Sequence, residues 1–175
     1  GVVIGGGQTL TVNLAGAPGE ADGQGAKINN LMGATGSSLA VNNTGDGTAV
    51  VILNNKQMTT GEDDIDPAGQ DTVMGGSITG GSNVTFIKEG TGTLTVGGTM
   101  DVETLALREG NIILNGTENS LDTLTLEGGG LTISGNAEIE TITGTEAGGT
   151  LAIQGTLDLT GTSSINNGAI TGTGS

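Results

Sequence analysis

From residue 94 onward, apolar residues recur in short alternating runs that close on glycine: Leu94-Thr95-Val96-Gly97-Gly98, Ile112-Ile113-Leu114-Asn115-Gly116, Leu131-Thr132-Ile133-Ser134-Gly135 and Leu151-Ala152-Ile153-Gln154-Gly155. Their first residues are 18, 19 and 20 positions apart, and Ile170-Thr171-Gly172-Thr173-Gly174 follows 19 later without the second apolar residue. A second series, Val102, Leu121, Ile139 and Leu157, is spaced at 19, 18 and 18; a third, Leu105, Leu124 and Ile142, at 19 and 18. One-in-one-out alternation is the signature of a half-buried strand, and a fixed period across successive units is that of a repeat architecture. Three short strands per repeat of about 19 residues, divided by corners rich in Gly, Asn and Thr, predict an all-β chain wound as a parallel β-solenoid. An antiparallel sandwich would alternate as well, but nothing in it imposes a constant period.

A single coil of this kind has one narrow apolar strip and no partner for it. It becomes stable when coils stack about 4.8 Å apart and bury the strips as continuous columns. The corners, where positive φ is often required, are the expected places for glycine and asparagine. Upstream the rhythm is poorer. Candidate strands are Val2 to Ile4, Thr9 to Leu14, Ser38 to Val41, Ala49 to Leu53, Gly76 to Thr79 and Val84 to Ile87, and the stretches Ala15 to Gln24 and Thr59 to Asp71 are expected to be loops. Both prolines, Pro18 and Pro67, fall in those stretches, where no ladder needs their missing donor. The organisation expected is one continuous domain: residues 1–90 as irregular coils or a cap with loop excursions, and residues 91–175 as regular repeats.

Composition then changes the picture. Glycine supplies 36 of the 175 residues, a share that alone would suggest disorder; the period instead gives many of them a structural place. There is no Cys, His, Trp or Tyr, which removes Cys/His metal sites, nucleophile–histidine chemistry and disulfide frameworks. The one aromatic residue, Phe86, is expected in the core, and no catalytic residue is assigned; the chain is not expected to be an enzyme. The only cations are Lys27, Lys56, Lys88 and Arg108 against 19 acidic residues, a net charge of −15 that opposes nucleic acid and anionic membrane surfaces. The longest apolar stretch, around Ala49 to Leu53, is far shorter than the roughly 20 residues of a membrane-spanning helix, so this portion is expected to be soluble. The chain opens on Gly1, as expected of a processed protein or a piece of a longer one. Absence of cysteine fits an extracellular bacterial protein.

The period aligns carboxylates too. Glu103, Asp122, Glu140 and Asp158 recur at 19, 18 and 18, and Glu109, Glu127 and Glu146 at 18 and 19. Stacked carboxylates repel, so such columns either face solvent or take up a cation, with Ca²⁺ the natural choice for oxygen ligands. A loop carrying Glu62, Asp63, Asp64, Asp66 and Asp71 is a second place for Ca²⁺, though it lacks the EF-hand order. Solvated faces are the expectation for both, and no metal or cofactor site is assigned. Thr-x-Thr pairs at Thr93/Thr95, Thr123/Thr125 and Thr141/Thr143 are the unit from which ice-binding solenoids are built, but Thr95 aligns with Ile113, Thr132 and Ala152, so no flat threonine array is expected.

The segment Phe86-Ile87-Lys88-Glu89-Gly90-Thr91-Gly92-Thr93-Leu94-Thr95-Val96-Gly97-Gly98 resembles the autotransporter-associated β-strand repeat, roughly F-x-K-x-G-x-G-T-L-x-L-x-G, and Val102 to Leu114 resembles its second part. The resemblance covers one clear copy of about 30 residues. It implies a right-handed β-helix from the passenger region of a Gram-negative surface protein, secreted or displayed on the outer cell surface. The expected function is that of a non-enzymatic stalk or adhesin segment. The alternative is a subunit of an extracellular filament that stacks end to end by β-strand continuation. Expected partners are further copies of the chain or a ligand on a host or neighbouring cell.

Overall fold

A computed structural model describes residues 1–16, 25–56 and 69–175 of the chain. Among these residues every regular element is a β-strand and every pairing is parallel. One sheet holds eight strands, running from Val2–Ile4 through Leu31–Gly33, Thr72–Met74, Thr93–Val96, Asn111–Leu114, Gly130–Ile133 and Gly149–Ile153 to Gly168–Gly172. The other sheet has eleven strands and forms two further faces. In the early coils these faces are separate strands, such as Ser38–Asn43 and Ala49–Asn54. In three successive coils one long strand covers both, Met100–Leu107, Asn119–Leu126 and Asn136–Gly144, and in the last coil they are again separate, as Thr156–Leu159 and Ser163–Ile165. The result is a solenoid-like stack with three faces per coil. Its ladders cross residue 90 without a break, with Thr72 paired to Leu94 and Phe86 to Leu105.

The inward columns follow the sequence period. Leu94, Ile112, Leu131, Leu151 and Ile170 stand in one column as their spacing predicts, the first four essentially without solvent contact. Leu105, Leu124 and Ile142 form the next, extended below by Phe86 and Val51. Removing each such side chain from water contributes roughly 1.5–3 kcal/mol, and no coil obtains that alone. The second series departs from expectation at its last member. Val102, Leu121 and Ile139 do align, but Ile139 pairs with Leu159, and Leu157 pairs with Ala137. The coil above Leu131 is 20 residues long on the first face, and the second face keeps that longer step, so a spacing of 18 points at the wrong residue.

Three strands, Ala26–Asn29, Leu31–Gly33 and Thr72–Met74, were not expected; each carries too few inward apolar residues to show a period. The column partners Val2, Leu31, Thr72 and Leu94 lie 29, 41 and 22 residues apart, so early coils differ in length while their columns stay in register. Pro18, Pro67 and most of the two expected loops lie outside the described residues.

Positive φ occurs at turns as expected, at Gly7, Gly36, Gly90 and Gly110 and at Asn30, Asn83 and Asn167 among others, but the glycines that close the alternating runs have a different cause. Gly98, Gly116, Gly135 and Gly155 all lack a positive φ. Instead each lies against the carbonyl of the glycine one coil below: a Cβ on Gly116 would overlap the oxygen of Gly98, one on Gly135 that of Gly116, and one on Gly155 that of Gly135. Glycine there permits close approach of backbones.

Candidate functional surface

Outward positions divide the surface by chemistry. On the second face the register places Glu103 opposite Asp122, between the pairs Val102–Leu121 and Thr104–Thr123, and Asp122 opposite Glu140. Asp158 does not continue that column: it pairs with Glu138, whose neighbours below are Ser120 and Asp101. The face therefore carries two adjacent acidic columns rather than one. Glu103 is partly engaged, its Oε2 accepting the Asn83 N–H at 2.7 Å. A cleft of about 450 Å³ runs beside Glu118, Asn119, Glu138 and Asp158.

Glu109, Glu127 and Glu146 do not stack at all. Leu107 pairs with Leu126, which puts Glu127 over Arg108, and the Arg108 Nε donates to Glu127 Oε2 at 2.8 Å. Arg108 also lies 3.7 Å from Glu89, which Lys27 approaches at 3.5 Å, so charges alternate along this edge. Glu109 accepts the Gly90 N–H at 3.2 Å, and the Glu146 carbonyl accepts the side-chain N–H of Asn167. Among the described residues no three acidic side chains are grouped so as to hold a metal ion. Of the expected Ca²⁺ loop, Glu62, Asp63, Asp64 and Asp66 lie outside the described residues; Asp71 accepts the Thr93 N–H at 2.7 Å.

Threonine is arranged otherwise than expected. The Thr95 column is interrupted by Ile113 and Ala152, but on the third face Thr85, Thr104, Thr123 and Thr141 form an uninterrupted column, with Thr125 and Thr143 beside it, Oγ1 to Oγ1 3.3 Å. In the lower coils the outer side of the same face carries Val50, Ile52, Ile87 and Ala106, which are buried as a second small apolar cluster.

The most unusual group is Lys88. It is fully buried, in an inward column between Leu53 and Leu107, where alternation would place an apolar residue. Its Nζ donates to the carbonyls of Glu89 at 2.9 Å, Gly90 at 2.8 Å and Gly92 at 2.9 Å, with that of Glu109 at 3.4 Å. Positive φ at Gly90 and Gly110 turns the corner around the ammonium, and a Cβ on Gly110 would stand 2.9 Å from Nζ. Burial lowers its pKa from 10.5 to about 8, opposed by the carboxylates of Glu109, Asp71 and Glu89. The Lys-x-Gly-x-Gly spacing is thus a cation folded back onto its own turn. A second internal polar clamp, not foreseen, is Asn119: its side chain accepts from Met100 N at 2.9 Å and donates to Gly116 O at 2.7 Å and Asn136 O at 2.8 Å, tying three coils.

In comparisons with known proteins, no family model, curated protein or solved structure matches the chain.

The acidic columns make a test. Raising NaCl from about 20 to about 500 mM is expected to raise the melting temperature by about 2–4 °C, by screening repulsion among the stacked carboxylates. CaCl₂ at matched ionic strength should do no more. A clearly larger rise in Ca²⁺, lost in Glu138→Gln, would show a bound cation instead.

Proposed function

We propose that the chain is a right-handed β-solenoid acting as a non-enzymatic stalk or adhesin segment, displayed on the outer surface of a Gram-negative cell. The observation that carries this is the unbroken parallel ladder from Val2 to Gly172, which yields a rod with long patterned faces. Right-handedness follows the general chirality of parallel strand crossovers, and the location follows the resemblance around Phe86 to Gly98. The test uses intact cells that make the natural protein. Antibody labelling and protease removal without lysis are expected, and beads coated with the chain should gather on host or neighbouring cells. Labelling seen only after lysis would overturn the location, and beads no stickier than albumin-coated ones the adhesive role.

Filament growth is a second reading with an observation of its own. The columns that start at Val2, Leu10 and Ile28 reach Ile170, Leu157 and Ile165, so the two end coils present matching strips. Of the edge strands, Val2–Ile4, Thr9–Leu14, Ser163–Ile165 and Gly168–Gly172 carry no ionisable side chain, whereas Ala26–Asn29 carries Lys27 and Thr156–Leu159 carries Asp158, charges of the kind that blunt such edges. Fibres of uniform width under negative stain are expected on this reading.

A further inference from the structure

The outward side of the eight-stranded sheet is the widest nearly uncharged surface among the described residues. Its central column climbs from Met32 and Val73 through Thr95, Ile113 and Thr132 to Ala152, with no ionisable residue. The columns on either side hold mainly Gly, Asn, Ser and Thr, and Asp71 is their only ionisable member among the described residues. Val3 and Val73 are 72% and 56% exposed. In a chain of net charge −15, an outer face this neutral is a conspicuous exception. The second face bears Glu103, Asp122 and Glu140 beside Glu138 and Asp158. The third is bounded by that same column on one edge and by Glu89, Arg108 and Glu127 on the other.

We propose that this neutral face is a homodimer interface, joining two copies of the chain side by side through the same eight strands of each. Charge selects the occupant. A basic partner would be drawn to the carboxylate columns, not here. A second copy, itself strongly acidic, is repelled least where the uncharged surface is widest, and among the described residues that is this face, with three outward columns; the third face has two, set directly between the Glu103–Asp122–Glu140 column and the Glu89–Arg108–Glu127 edge. The contact is therefore self-complementary and closes at two. The area suffices: eight strands at ~4.8 Å, each contributing ~5 residues at ~3.3 Å, give a footprint on the order of 600 Å² per copy, above the ~1,000 Å² total that marks a specific interface. Threonine, valine and isoleucine at the centre, with Asp71 the one charge in the flanking columns among the described residues, matches the depletion of charge at the centre of protein interfaces. The inference does not depend on where the protein is displayed, and it differs from end-to-end growth, which would extend without limit.

Sedimentation equilibrium decides it. At ~50 µM, within the range where a micromolar dimer is populated, the chain is expected at twice its monomer mass, with association strengthened by added salt as the net repulsion is screened. Thr132→Glu and Val73→Glu, both outward and away from the core, should each weaken association by ~100-fold by burying an unpaired carboxylate. Thr123→Glu, on the third face, should leave it unchanged. Circular dichroism and melting of each variant confirm that the fold persists. A wild-type chain that stays monomeric, a dimer indifferent to both face variants, equal loss in Thr123→Glu, or open-ended polymer in place of a closed dimer would each overturn the assignment. The last result would support the filament reading while leaving surface display untouched.

Discussion

Gly135→Ala is expected to be among the most damaging single substitutions in the chain, lowering stability by about 4 kcal/mol or more, close to all that a domain of ordinary stability possesses. The added methyl would overlap the Gly116 carbonyl oxygen and would stand 2.6 Å from the Asn115 oxygen and 2.8 Å from the Gly116 carbonyl carbon. All of these atoms belong to backbone, so no rotamer change relieves the clash. Relief requires one coil to lift from the next, and the hydrogen bond from Asn136 N to Gly116 O would be the first lost. Gly81→Ala is the control. Its new Cβ would come no closer than 3.7 Å to the Val41 oxygen, and it should change stability by no more than ~0.5 kcal/mol. Urea denaturation followed by far-UV circular dichroism measures both. A Gly135→Ala midpoint equal to the wild type would refute the account of these corners as sites of backbone contact.

Lys88→Met is expected to cost about 3–5 kcal/mol, although methionine fits a buried column well by size and polarity. The loss comes from the carbonyls of Glu89, Gly90 and Gly92, which would be left without their donor at a buried corner. Lys88→Arg should not rescue it, because a planar guanidinium cannot occupy the space that Gly110 leaves for a compact ammonium. The pH dependence has a definite sign. With the folded pKa at about 8 and the ordinary value at 10.5, the unfolded chain binds the extra proton between those limits. The stability attributable to Lys88 is thus lowest below pH 8 and rises as the pH climbs toward 10.5, where the neutral amine still donates to two carbonyls. The gap between wild type and Lys88→Met should widen over that window. A gap that narrows would mean that the ammonium is favoured, not penalised, by its site.

Much of the stack was legible because a coil shows its inward residues at a constant interval. The columns of Leu94 and Leu105 could be traced by counting alone. Counting failed where a coil changed length: Leu157 has the right spacing and the wrong partner, and the same two-residue error moved Asp158 out of the Glu140 column and onto Glu138. The series Glu109, Glu127 and Glu146 failed for a related reason. Corner residues do not inherit the strand register, so equal spacing there implies no contact, and Arg108 rather than Glu109 meets Glu127. The threonine column was missed because one aligned series, that of Thr95, stood for all of them. Thr104, Thr123 and Thr141 recur at 19 and 18, which was enough to find it. Lys88 also left a signal. It stands two residues after Phe86, on the same side of its strand, so a buried ring implied a buried lysine.

That lysine bears on a difficulty peculiar to repetitive sequences. When successive coils are nearly alike, a chain displaced by one whole repeat keeps most of its contacts, and many misaligned arrangements compete with the native one. Displaced by one coil, Lys88 would carry its own turn with it to where Leu107 lies, but it would lose the Glu109 carbonyl and the space left by Gly110 in the coil above. Phe86 would likewise lose Val51 and Leu105, the neighbours below and above its ring. Two residues on one side of a single strand therefore give the stack an address from which the other coils are counted, at the cost of interrupting an apolar strip with a charge.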